Sequence, residues 1–139
     1  MAGLKGRKAI AVLEILTGGG LILFWIGFFT IGLVPENPPP CYFAYEHSFP
    51  LPDIILAAAF LLAGTLLLKN RESGRILSLI CAGGLIFLGV LDFSFNVQNG
   101  VYRISTLDLV LNVFINIWCV GFGVAVAGML SGKSAVQSS

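Results

Sequence analysis

Residues 91–116 read LDFSFNVQNGVYRISTLDLVLNVFIN, and two long apolar runs meet inside this stretch. Its centre carries two boundary signals. Asn99-Gly100 favours the left-handed backbone that ends a helix or turns a hairpin. Ser105, followed three positions later by Asp108, has the spacing of a capping box that starts one. The stretch is therefore read as the joint between two helices, and what lies on either side decides the fold.

Both flanks are too apolar for a soluble domain. The 139-residue chain is 57% hydrophobic and 11% charged, whereas soluble domains carry about 25% charged residues. A membrane-crossing helix needs roughly 20 apolar residues, and four runs supply them, at about 9–34, 53–68, 74–95 and 106–130. The expectation is an all-α membrane protein: one transmembrane domain over residues 1–139, folded as an antiparallel four-helix transmembrane bundle. The first run is longer than the roughly 7–15 residues of a signal-peptide core, so it is read as a retained span.

Short basic loops stay on the cytoplasmic side. Lys5, Arg7 and Lys8 precede the first span, Lys69, Arg71 and Arg75 lie between the second and third, and Lys133 follows the fourth. Both termini are thus expected in the cytoplasm, with the protein in the plasma (inner) membrane and the lipid bilayer as its first partner. The loops that hold Glu36, Glu46, His47 and Arg103 face outward. No basic aromatic surface suggests nucleic acid.

The outer flap, residues 35–52, has five prolines between Pro35 and Pro50 together with Tyr42, Phe43, Tyr45 and Phe49. Proline-rich backbone favours extended polyproline geometry, and the rings suit the membrane interface. Glu46 and His47 sit in this flap. Cys41, Cys81 and Cys119 form no CxxC pair and fall at different depths, so neither a disulfide nor thiol redox chemistry is expected. A zinc site usually assembles three or four Cys, His or carboxylate ligands, and with one histidine no metal or other cofactor is expected.

Glu14 lies one to two turns inside the first span. An ionised acid at that depth costs a few kcal/mol unless it is paired or solvated, so it is expected either to pair with Arg71 or Arg75 near the interface or to serve as a proton site. Residues 9–18, AIAVLEILTG, resemble the first helix of small multidrug resistance transporters, four-helix proteins with a membrane-embedded glutamate. The resemblance implies that Glu14 is a shared proton and substrate site. It would reach Glu14 alone; the long first outer loop and the acids of spans three and four depart from that pattern, so membership of that family is not expected. Asp53, just after two prolines, suits the positive end of a helix dipole.

The joint itself holds the densest polar set. Asp92, Asn96 and Asn99 follow i, i+4, i+7 on one helical face, and Asp108, Asn112 and Asn116 follow i, i+4, i+8 on another. At 1.5 Å per residue, Asn116 lies roughly 15 Å below the start of its helix. Capping accounts for Asp108 and turn chemistry for Asn99. Asp92, Asn96, Asn112 and Asn116 are left, and they are expected to converge in the outer half of the bundle, Asp92 supplying charge and the amides orienting a ligand. Oxygens of this kind suit a small cation or an amine.

The resulting expectation is a non-enzymatic membrane protein that binds, and in the fuller version transports, a small cationic or polar ligand in an outward-open polar pocket. Glu46 and His47 would close it from above and Glu14 would be the inner proton site. Transport would favour a homo-oligomer. The alternative is an accessory protein whose polar stripe pairs with a partner membrane subunit, a role suited to Gly128-x-x-x-Gly132.

Overall fold

The computed structural model describes residues 3–132, and these are all helical apart from turns and loops, without a strand. Helix α1 spans Leu4–Ile31, α2 Tyr42–Glu46, α3 Pro50–Leu68, α4 Glu72–Gln98 and α5 Thr106–Leu130, with a 3-10 turn at Val101–Arg103 before α5. The four longer segments Leu4–Ile31, Tyr42–Leu68, Glu72–Gln98 and Thr106–Leu130 are long and apolar enough to cross a membrane. This is the architecture of an integral membrane protein built as a helix bundle. Lys133, used above for orientation, lies outside the described residues.

Helix α1 begins earlier than the hydrophobic run, because Lys5, Arg7 and Lys8 can carry their charges outward from a helical backbone. Arg7 Nη1 donates to Asn70 Oδ1 at 2.7 Å, tying this end to the turn between α3 and α4. Gly32, at φ 68°, is the left-handed C-cap that stops α1. The flap corrects the extended reading. It contains the short helix α2, whose caps are closed by Tyr45 N–H to Cys41 O and His47 N–H to Phe43 O; four of its prolines, Pro35 to Pro40, precede α2, while Pro50 and Pro52 open α3.

The joint behaves as its residues dictate. Gly100, not Asn99, takes the left-handed backbone, at φ 70°. Ser105 Oγ accepts from Asp108 N–H at 3.1 Å and donates to Asp108 Oδ2 at 2.6 Å. Ser105→Ala is expected to cost about 1 kcal/mol through loss of this N-cap, read as a lower thermal midpoint in detergent. An unchanged midpoint would mean that α5 starts without help from the serine.

Small residues set the helix spacing. Helix α1 packs on α3, α3 on α4, and α4 on α5. A Cβ added at Gly18 would stand 2.8 Å from Ala57 O, and one at Gly123 would stand 2.9 Å from Ala82 O. The seams therefore bring backbone against backbone, as small residues permit in membranes. The apolar core lies inward of them around Ile10, Phe60, Leu85, Phe122 and Val126. Leu16, Leu23, Ile80, Phe87 and Ile117 are exposed, an apolar exterior that a bilayer would cover.

Candidate functional site

The four polar residues singled out in the joint meet. Asp92 lies on α4 and Asn96 one turn further along; Asn112 and Asn116 descend from the start of α5. Asp92 Oδ2 accepts from Asn96 Nδ2 at 3.0 Å and from Asn116 Nδ2 at 2.6 Å. Asn96 Nδ2 also reaches Asn112 Oδ1 at 3.3 Å, and Asn112 Nδ2 donates to the Asp108 carbonyl at 2.8 Å. Asn96 and Asn116 are buried while Asp92 and Asn112 are half-buried. The α4–α5 seam makes this possible, because Gly89, one turn before Asp92, admits Cys119 and Val120 where a Cβ would clash.

Tyr102 completes the cluster and was not foreseen. The 3-10 turn folds it back so that its hydroxyl donates to Asn116 Oδ1. Burial pushes the phenol's pKa upward, against a hydrogen bond from Asn96, and the nearby Asp92 carboxyl adds to the rise. The hydroxyl therefore stays a donor. Its sequence signal is position: a tyrosine two residues after Asn99-Gly100 is carried back over the helix ends by the turn.

Glu46 and His47 part company. Glu46 is half-buried and within electrostatic reach of both Asp92 and Asp53. His47 turns the other way: its ring is exposed and lies 6.1 Å, centroid to centroid, from each of Phe28, Phe29 and Phe43. The structure does not bring His47 to the Asp92 cluster, since α2 is one helical turn and the two residues leave its end in different directions.

Asp53 needs more than a dipole argument. It is buried in the first turn of α3, and its Oδ2 accepts from Trp25 Nε1 at 2.9 Å. Its other oxygen, Oδ1, has no hydrogen-bond partner, and neither does the buried hydroxyl of Tyr45. The Tyr45 ring lies flat on Phe95, 3.7 Å between centroids. Trp25, Phe28 and Tyr42, with Phe49 and Phe95 against them, form an aromatic cluster in this outer region. A buried indole N–H seeks an acceptor, so Trp25 at the outer end of span one was the sequence clue to Asp53.

Glu14 corrects the expected ion pair. It is fully buried, and neither carboxyl oxygen has a hydrogen-bond partner. Arg75 instead pairs with Glu72 at 2.6 Å and donates to the Leu130 carbonyl at 2.8 Å. Arg71 precedes α4 as its N-cap residue and is exposed. Glu14 faces α4, where Ser78 lies beside it.

Two open grooves run along the outside of α5. One, of about 450 Å³, is lined by Val90, Phe93, Ile117, Val120 and Gly121 with Asn116 at its edge. The other, of about 290 Å³, lies between Leu13 of α1 and Phe114, Trp118 and Phe122 of α5. Both are apolar, and of the cluster only Asn116 is among the residues that line them.

A family model described as a domain of unknown function (DUF8058) matches residues 4–120, and the chain belongs to that family. The matched region takes in α1 to α4 and α5 as far as Val120, hence every residue of the cluster. No curated protein and no solved structure matches the chain.

Proposed function

We propose that this member of the family is a binding protein, not an enzyme, that takes a small cationic ligand in the outer half of its bundle. The observation that carries this reading is a set of three carboxyls, Glu46, Asp53 and Asp92, brought from α2, α3 and α4 within electrostatic reach of one another. Among the described residues the ion pair is Arg75 with Glu72, so none of the three is matched by a basic side chain. Like charges in a poorly solvated place disfavour their own ionisation unless a cation offsets them. Asp92, braced by two amides, is the fixed member of the set.

The orientation proposed for the bundle is antiparallel, both termini cytoplasmic, in the plasma (inner) membrane. Gly18 meets Ala57 and Leu61 while Gly64 meets Ala11 and Ile15, so residue numbers on α1 and α3 run in opposite senses; Gly89 with Cys119 and Gly123 with Ala82 do the same for α4 and α5. Lys5, Arg7, Lys8, Lys69, Arg71 and Arg75 then gather at one end, with Arg103 at the other. The alternative accessory role would need the amides to face a partner, whereas Asn96 and Asn116 spend their hydrogen bonds inside the chain. In a transporting version Glu14 is the inner proton site.

The test is thermal stability of the purified protein in detergent against sodium, potassium, magnesium and methylammonium. A ligand at 100 times its Kd stabilises by about 2.7 kcal/mol. At least one cation is expected to give a saturable rise of that order, and Asp92→Asn to lose most of it. Equal responses in the wild type and Asp92→Asn would remove Asp92 from the site.

A further inference from the structure

Two unpartnered polar atoms lie in the outer region of the protein, one on Asp53 in the first turn of α3 and one on Tyr45 of α2. Asp53 is 7% exposed, and with Oδ2 held by Trp25, its Oδ1 is left bare. The Tyr45 hydroxyl is also bare and buried; its ring lies 4.7 Å, centroid to centroid, from that of Phe49, whose carbonyl accepts from Asp53 N–H at 2.9 Å. A buried polar atom without a partner costs roughly 1–3 kcal/mol, and two in one neighbourhood describe the outline of a guest.

The geometry points to a small N–H-bearing cation, of the ammonium or methylammonium class, seated between Asp53 Oδ1 and the Tyr45 hydroxyl. Three features choose this chemistry. The surrounding charge comes from carboxyls alone, which selects a cation. Asp53 Oδ1 can only be satisfied as an acceptor by a guest that donates, which N–H groups do. The surroundings are aromatic, with Trp25 bonded to the same carboxyl and Tyr45 stacked on Phe95, and aromatic rings attract ammonium groups. A metal ion is less suited: among the described residues no three Cys, His, Asp or Glu side chains gather as ligands. This rests on the cation-binding reading and names both its ligand class and a seat distinct from the braced oxygen of Asp92.

Trp25 is the built-in reporter, since its indole N–H is bonded to the same carboxyl. The experiment uses the full chain in detergent carrying Trp118→Phe, which leaves Trp25 as the sole tryptophan. Methylammonium chloride, ammonium chloride, sodium chloride and potassium chloride are titrated at matched ionic strength while Trp25 emission is followed. A saturable change is expected with the two ammonium salts and not with the alkali salts. Tyr45→Phe, which keeps the Trp25–Asp53 bond, is expected to weaken the apparent affinity about tenfold, and Asp53→Asn to abolish the change. Wild-type titrations in Tyr45→Phe would overturn the seat. Saturation with sodium or potassium and none with methylammonium would overturn the ligand class while leaving the cation-binding reading standing. No saturable response to any of the four salts would overturn both.

Discussion

Gly64→Val is expected to destabilise the protein by up to about 3 kcal/mol, the upper range for overpacking a tight interior. A Cβ at position 64 would stand 2.6 Å from the Ala11 carbonyl oxygen and 2.7 Å from Ile15 Cγ1. The isoleucine can rotate away. The carbonyl belongs to the α1 backbone, so relief requires α1 to move bodily off α3, and valine adds two further methyl groups to the clash. Gly64→Ala should show a smaller loss of the same sign. Gly20→Ala is the matched control: nothing lies within 4 Å of its added Cβ, and alanine favours helix over glycine by about 1 kcal/mol, so its thermal midpoint should hold or rise. The measurement is thermal unfolding in detergent followed by circular dichroism. An unchanged midpoint for Gly64→Val would show that the α1–α3 seam is looser than its backbone contacts imply. The same seam carries Trp25 to Asp53, so Gly64→Val should also disturb the indole bond at the outer end.

Hydrophobic length made four spanning helices legible from the sequence, and the i, i+4 spacing of Asp92 with Asn96 and of Asn112 with Asn116 placed each pair on one face. Their convergence depended on a further inference, that the turn at residues 99–105 is short enough to level the two helix ends, and the hydrogen bonds from Asn96 and Asn116 to Asp92 show that it is. What the sequence hid were contacts between elements far apart along the chain. Asp53 reads locally as a first-turn acid, and it does occupy the first turn of α3; only packing α1 on α3 reveals Trp25 as its partner, 28 residues away. His47 looked like a neighbour of Glu46 in function because it is one in sequence. On a helix, however, adjacent residues point about 100° apart, and that rotation sends His47 to the phenylalanines of α1. The ion pair expected for Glu14 failed for a similar reason: Arg75 has a nearer acid one turn back on its own helix.

Glu14→Met is expected to raise stability by about 1–3 kcal/mol, the usual cost of leaving a buried polar group unsatisfied. Glu14 is 0% exposed and both its oxygens lack partners. The obvious donor beside it is already committed, since Ser78 Oγ gives its hydrogen to the Gly74 carbonyl at 2.9 Å. Methionine has nearly the same length and adapts to irregular space, so it can take the place of the carboxyl side chain without stranding oxygen atoms. Glu14→Gln keeps the shape but brings its own unpaired amide, and no comparable gain is expected from it. The contrast between the two variants separates the chemistry of the carboxyl from the volume of the side chain. Groups that weaken a fold persist where an activity needs them. In the transporting version of the proposal, Glu14→Met in liposomes should therefore pair a higher thermal midpoint with loss of proton-driven uptake of methylammonium, while its binding in the outer half is retained. A lower midpoint for Glu14→Met would mean that the carboxyl is satisfied in the folded protein, and the argument that a proton site is kept there at the expense of stability would fail.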